Sequence, residues 1–187
     1  MKINYSIEEL VKGCKEGQTR MQEYLYRSYA PKLLAICMRY TKDQMEAEDA
    51  LQMGFIKIFQ KINEYRSEGS FEGWMKRIMV NIAIEAYRKK SRSLLLVSID
   101  DHQIYNESNI DFNRLAVQDL MRMVQGLADG YRMVFNLYAI EGYSHKEIAE
   151  MLGISEGASK SQLSRARALL RQEILKMEET NYERANG

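Results

Sequence analysis

The chain has 187 residues, room for one ordinary domain or two small ones, which excludes a large multidomain enzyme. Lys plus Arg (27) nearly balances Asp plus Glu (26), so the net charge of +1 lacks the uniformly basic profile of a nonspecific nucleic-acid coat, though near neutrality can hide local charge blocks. Hydrophobic residues at 45% and charged residues at 28% are ordinary globular values and exclude a chain disordered throughout.

One proline, Pro31, and 11 glycines leave few helix breakers, and β-branched residues are sparse beside Leu, Met, Ala, Glu, Lys and Arg, so the expected fold is all-α. Cys14 and Cys37 form no CxxC pair and lack His or Cys neighbours, so two reduced, buried thiols are expected rather than a metal or disulfide scaffold. The amino terminus has no apolar signal core and no stretch approaches the ~18 apolar residues of a membrane span, which points to a cytoplasmic protein without membrane insertion.

In chain order, Ser6-Ile7-Glu8-Glu9 is a capping-box pattern that opens a short helix ending near Gly17. A second helix, from about Thr19 to Tyr40, carries Met21, Leu25, Tyr29, Leu33, Ile36 and Cys37, with Pro31 expected to kink or divide it. After a polar break at 41–46, the clearest amphipathic helix runs from Met45 to Ile62, with Ala47, Ala50, Leu51, Gly54, Phe55, Ile58, Phe59 and Ile62 on one side. A polar loop at 63–70 leads to Ser70 as N-cap of a helix from Phe71 to about Arg92, whose core stripe is Phe71, Met75, Ile78, Met79, Ile82 and Ala86. Residues 93–111 read as a linker, within a segment at 98–119 that holds five acidic residues against Arg114, net −4. Helical spacing resumes at Val117, Leu120, Met121 and Val124, and again at Met133, Val134, Leu137 and Tyr138; residues from Asn181 on look frayed.

Ser144-His145-Lys146-Glu147 is a second capping box, starting a short helix that ends at Leu152. Gly153 can take the positive φ of a tight interhelical turn, and Ser155 caps the next helix. Ala149 and Gly153 are the small residue and turn glycine of a helix-turn-helix, whose second helix enters the DNA major groove. Between 155 and 176, Lys160, Arg165, Arg167, Arg171 and Lys176 face Glu156 and Glu173, net +3, while Leu163, Ala166 and Leu170 point the other way. An ordinary helical hairpin with a solvated basic face has the same spacing.

A second basic segment, 71–92, has Lys76, Arg77, Arg88, Lys89, Lys90 and Arg92 against Glu72 and Glu85, net +4. Arg77, Asn81, Ile84 and Arg88 recur at helical spacing outside the core stripe with Trp74 at their edge, a strip in which cations hold phosphates and an aromatic ring stacks on unpaired bases. Tyr65 and Arg66 in the preceding loop can add to the stacking, whereas a core Trp74 among solvated cations is the plainer alternative. Asp49, Gln52, Met53, Ile56 and Gln60 mix acid, amide and apolar groups opposite the apolar side of their helix, as a protein-docking face does, or as an imperfect solvated face does.

These parts, in this order, resemble the sigma-70 family of bacterial RNA polymerase sigma factors, in its extracytoplasmic-function (ECF) subfamily. The resemblance is carried by Ala47-Glu48-Asp49-Ala50-Leu51-Gln52 with Phe55 and Ile58, by Phe71-Glu72-Gly73-Trp74-Met75-Lys76-Arg77-Ile78 through Asn81, and by Glu141-Gly142-Tyr143-Ser144 through Arg165-Ala166-Arg167. It implies two small helical domains, 1–92 and 112–187, joined by a flexible acidic linker over 93–111. The Glu48-Asp49-Gln52 face, with Met53 and Ile56, would then dock on the polymerase clamp. Tyr65, Arg66, Ser70, Trp74, Arg77, Asn81 and Arg88 would capture the melted −10 element. Lys160, Ser161, Gln162, Arg165 and Arg167 would bind the −35 duplex. Where the family commonly has an acidic residue after the glutamine this chain has Met53; Ala158-Ser159 stands for Thr-Val, Gln162 for a frequent arginine, and Leu127-Ala128 for Leu-Pro.

A linker of about 20 residues at ~3.4 Å each spans on the order of 65 to 70 Å, near two turns of duplex, so both domains can reach one promoter. The chain lacks a nucleophile–base pair, a metal cluster and a phosphate-binding glycine loop, and His102 and His145 look isolated, so a noncatalytic initiation factor without cofactor is expected. The expected partners are core RNA polymerase, promoter DNA and an anti-sigma factor, with a monomer when free. The rivals are a conventional helix-turn-helix repressor or activator acting without core polymerase, and an adaptor of the anti-sigma kind.

Overall fold

A computed structural model describes residues 5–94 and 115–186, and every regular element in them is helical. The chain forms two compact units, Met1–Glu85 and Ala86–Gly187.

In the first unit, α1 (Ile7–Lys15) opens on the Ser6–Glu9 capping box, in which each residue satisfies an otherwise unpaired amide of the other. Its Gly13 lies against α2 (Thr19–Tyr40), where a Cβ would come within 2.4 Å of Met21 Cγ. Pro31 does not divide α2; it sits on the exposed side of one continuous helix, where an unserved carbonyl can be hydrated. α3 (Gln44–Lys61) starts one residue before the expected Met45, because the Asp43 carboxylate accepts from the Glu46 amide at 2.8 Å. A 3₁₀ turn, Ile62–Glu64, carries the chain into the 65–70 loop.

α4 (Phe71–Leu94) begins where the Ser70 hydroxyl accepts from the Gly73 amide at 3.2 Å, and it runs two residues past the expected Arg92. Its Phe71, Met75 and Met79 join Leu10, Leu25, Leu33, Leu51, Phe55 and Ile58 in one core cluster, with Ile78 packed at its margin. Two expectations are corrected here. Ala86 is exposed rather than in the stripe, and Ile84, placed on the outer strip, is 6% exposed, as Val80 and Ala83 are also buried. A helix of 24 residues turns its sides in succession, so a stripe drawn from its first two turns does not extend to its last. Cys14 and Cys37 are both free and buried, and burial pushes both thiols up to about 11.

In the second unit, α5 (Leu115–Gln125) and α6 (Asp129–Phe135) are joined by a short turn, and a π-helical segment (Asn136–Ile140) continues from α6. Leu120, one of the apolar positions at helical spacing, is 49% exposed, whereas Asp119 is buried and pairs with Arg122 at 3.6 Å. α7 (His145–Leu152) starts on the Ser144–Glu147 capping box and ends at Gly153 with φ 70°. α8 (Glu156–Asn186) starts where Ser155 accepts from the Ala158 amide at 3.0 Å. It packs against both α6 and α7 through Ser159, Leu163 and Ala166, which are buried. α8 stays helical to Asn186, correcting the expected fraying from Asn181. The linker lies, from residue 95 to its end at 111, outside the described residues.

Gly54 of α3 lies against the buried Met79 side chain of α4, where a Cβ would fall 2.1 Å from Met79 Sδ. Gly54→Val should therefore lower the stability of the first unit by about 1 to 3 kcal/mol through overpacking. Urea melts followed by circular dichroism check this, and a variant melting like the parent contradicts it.

Candidate nucleic-acid interface

Burial of Ala47, Leu51, Phe55 and Ile58 fixes the rotation of α3 and leaves Glu48, Asp49 and Gln52 exposed on its outer side. Met53 and Ile56 share that side at 50% and 49% exposure, so apolar surface lies in water among acid and amide groups. The structure thus places all five candidate docking residues on one exposed surface of one helix.

The loop and the start of α4 are built around three rings. Phe71 is buried, Trp74 stacks on it at 5.7 Å and 14°, and Tyr65 lies 5.0 Å from Phe71 and 5.4 Å from Trp74. Tyr65 is only 9% exposed; its hydroxyl donates to the Gly69 carbonyl at 2.9 Å, and its own carbonyl accepts from Lys15 Nζ at 3.1 Å. It therefore braces the loop from inside, and its ring does not present the free stacking face the sequence suggested. Arg66 and Ser70 are exposed around it, and Ser67 takes a φ of 60°, rare for a residue with a side chain. Trp74 is half-buried: one portion packs on the core and the rest meets solvent. Arg77 and Asn81 are exposed one turn apart on α4, and Arg88 is half-buried.

On α8, Lys160, Ser161, Arg165 and Arg167 are exposed. Lys160 pairs with Glu156 at 2.6 Å, and its hydrogen bond and charge hold the Glu156 carboxyl below its usual range. Arg165 donates to the Tyr131 hydroxyl at 3.3 Å, and the Arg167 guanidinium lies 5.6 Å over the Tyr138 ring. Gln162 turns the other way: its Oε1 is buried and lies 3.2 Å from where a Cβ on Gly130 would be. It therefore lies inward of the four exposed candidates on this helix.

Several participants had no sequence signal. His145 looked isolated, yet its ring stacks on Tyr138 at 4.5 Å and its Nδ1 is 2.9 Å from the Oγ of the buried Ser159. Residues 138, 145 and 159 belong to three separate helical elements, and the turns at Gly142 and Gly153 bring them together. Arg132, also unmarked, is buried and donates to the carbonyls of Gln125 and Leu127 at 2.6 and 2.8 Å and to the Asp129 carboxylate, tying the α5–α6 turn. Asp129 also receives Lys90 at 2.7 Å. Burial pushes the Asp129 carboxyl up, but the hydrogen bonds and charges of Lys90 and Arg132 outweigh it and leave it below its ordinary value of 3.8.

The arrangement is that of two helical units, the second holding a helix-turn-helix whose outer helix, α8, displays exposed cations. The Sigma-70 region 2 family model matches residues 25–93 and the Sigma-70, region 4 model matches residues 117–170. The chain is 30% identical over 152 residues to the RNA polymerase sigma factor SigZ of Bacillus subtilis, covering 80% of this chain and 85% of that protein. It is 29% identical over 163 residues to the ECF RNA polymerase sigma factor SigE of Mycolicibacterium smegmatis, covering 81% of this chain and 61% of the relative. Among solved structures, the sigma factor RpoE of Bartonella quintana, in complex with the anti-sigma factor NepR, superposes with a TM-score of 0.50 at 23% identity, over 81% of this chain and 95% of that one. The chain belongs to the sigma-70 family, as an ECF sigma factor with regions 2 and 4.

A folded carboxyl pKa below the unfolded one means that Asp129 stabilises the fold above the unfolded value, and that this contribution is lost as the pH falls through the lower, folded one. Asp129→Asn should cost about 1 to 2 kcal/mol at pH 7 and progressively less below its ordinary 3.8. Thermal melts from pH 7 to 3 check this, and a pH-independent difference contradicts it.

Proposed function

We propose that this protein is a noncatalytic initiation factor that binds core RNA polymerase and directs it to promoters with −10 and −35 elements. The observation that carries this reading is the set of three outward faces held on one chain in family order: the acid, amide and apolar face of α3, the Trp74-Arg77-Asn81 side of α4, and the basic outer face of α8. Core polymerase supplies the chemistry, and the factor needs no cofactor of its own.

In this reading residues 1–92 form the clamp-docking and −10 domain and residues 112–187 the −35 domain. The four acidic residues at 93–111, Asp100, Asp101, Glu107 and Asp111, with no Lys or Arg among them, make the connecting segment a tether that resembles nucleic acid in charge. Glu48, Asp49, Gln52, Met53 and Ile56 meet the polymerase. Arg66, Ser70, Trp74, Arg77, Asn81 and Arg88 hold the opened strand, with Tyr65 acting through the loop it braces. Lys160, Ser161, Arg165 and Arg167 meet the −35 duplex, and Gln162 supports them from the α6 side. The Bartonella quintana relative was solved with an anti-sigma factor, which supports such a partner here. No helix among the described residues is long and apolar enough to cross a membrane, and we place the protein in the cytoplasm with its polymerase, monomeric when free.

A repressor binds its operator alone, whereas a sigma factor needs the polymerase to spread its two DNA surfaces. The free chain should therefore bind promoter duplex poorly, with affinity rising at least tenfold when core polymerase is added. Electrophoretic mobility shifts measure this, and equal affinity without core favours the repressor. Asp49→Arg, which reverses a charge on the exposed α3 face, should reduce core affinity about tenfold in fluorescence anisotropy, a change of about 1.4 kcal/mol. Trp74→Ala and Asn81→Ala should keep core affinity and impair strand opening, read by permanganate reactivity of −10 thymines; unimpaired opening would remove both residues from the −10 surface.

A further inference from the structure

Four residues from three elements of the second unit form a continuous chain of contacts that leaves α8 and returns to it. It starts at Ser159, fully buried, whose hydroxyl meets His145 Nδ1 at 2.9 Å. A buried hydroxyl without a partner is costly, so this bond fixes where the imidazole sits. The imidazole in turn stacks on Tyr138 at 4.5 Å and 22°, and the Arg167 guanidinium lies over that same ring at 5.6 Å. Ser159 and Arg167 are eight residues apart, about 12 Å along the helix.

The contact with Tyr138 matters because of where Arg167 points. Arg167 is exposed and lies seven residues after Lys160, on the same side of α8, and Lys146, also exposed, follows His145 at the start of α7. Lys146 and Lys160 both lie close enough to act on the Glu156 carboxylate, so the start of α7 and this side of α8 carry exposed cations of the kind suited to phosphate oxygens rather than base edges. A free arginine on such a surface samples many rotamers and loses that freedom on binding. An arginine already held over an aromatic ring loses less of it.

We propose that Tyr138, oriented by His145, is a positioning residue that holds Arg167 for a backbone phosphate of the promoter duplex. This rests on reading α8 as the −35 duplex-binding helix. It extends that reading to two residues outside the groove-facing set, neither of which needs to touch DNA. The duplex gains affinity without sequence preference, and removal of the ring is felt through Arg167.

The test uses the full chain assembled with bacterial core RNA polymerase, on a promoter duplex that this holoenzyme selects from a randomised-sequence pool, with affinity measured against KCl concentration. Arg167→Ala should weaken binding about five- to tenfold and lower the salt slope by about one. Tyr138→Leu should reproduce both effects, Tyr138→Phe should stay within about twofold of the parent, and the double variant Tyr138→Leu/Arg167→Ala should bind no more weakly than Arg167→Ala alone. Additive losses in the double variant, or a Tyr138→Leu loss with an unchanged salt slope, overturn the proposal, because a ring that merely supports the fold gives that pattern. If thermal melts show that Tyr138→Leu does not hold its fold, His145→Ala, which keeps the ring and removes its stacking partner, carries the test by the same criteria. If scrambling the −35 segment of the selected duplex leaves parent binding unchanged, the α8 reading itself fails, an outcome separate from the variant series.

Discussion

At Gly54, α3 gives up its side chain so that Met79 of α4 can occupy the space, and Met79 Sδ lies 3.9 Å from the Cys37 Sγ of α2. Three helices of the first unit therefore meet at one thioether, and their rotations are set there together. With Leu51, Phe55 and Ile58 turned inward, α3 has no choice but to show Glu48, Asp49, Gln52, Met53 and Ile56 to solvent. With Phe71, Met75 and Met79 turned inward, α4 shows Arg77 and Asn81. The outward faces of this unit are the complement of its core, and packing at Gly54 and Met79 links α3 to α4.

Much of this was legible in the sequence because it depends on local rules. Ser6 and Glu9, and Ser144 and Glu147, are read from a four-residue pattern because the amides they satisfy are three residues away. Gly153 is read from the need for positive φ at a tight turn, and the α3 and α8 stripes follow from helical period alone. What the sequence hid depends on contacts between distant segments. Tyr65 looked like a base-stacking ring in a polar loop, and only the fold brings Phe71, Trp74, the Gly69 carbonyl and Lys15 around it. Arg132 and Asp119 carried no sequence signal, because no period marks a buried charge whose partner, Asp129 or Arg122, is more exposed. Ile84 was misplaced because a stripe inferred from apolar residues alone does not say where along a helix the neighbours change.

Charge distribution completes the account. A net charge of +1 conceals basic segments of +4 at 71–92 and +3 at 155–176, offset by −4 at 98–119. Each basic segment falls on a helix whose opposite side is buried, so the cations are displayed on defined surfaces rather than spread over the chain. That pattern suits a factor that should not coat DNA by itself, because one weakly basic surface alone gives little affinity at physiological salt, and two engaged together give much more.

The central claim is that these faces work only when polymerase holds them on one promoter. The most direct measurement is reconstituted run-off transcription from a pool of randomised upstream sequences, with core polymerase alone and with this chain added. The account predicts discrete transcripts that need the chain and whose selected templates share two sequence blocks about two helical turns apart. Transcripts no more specific than those of core polymerase alone would contradict it.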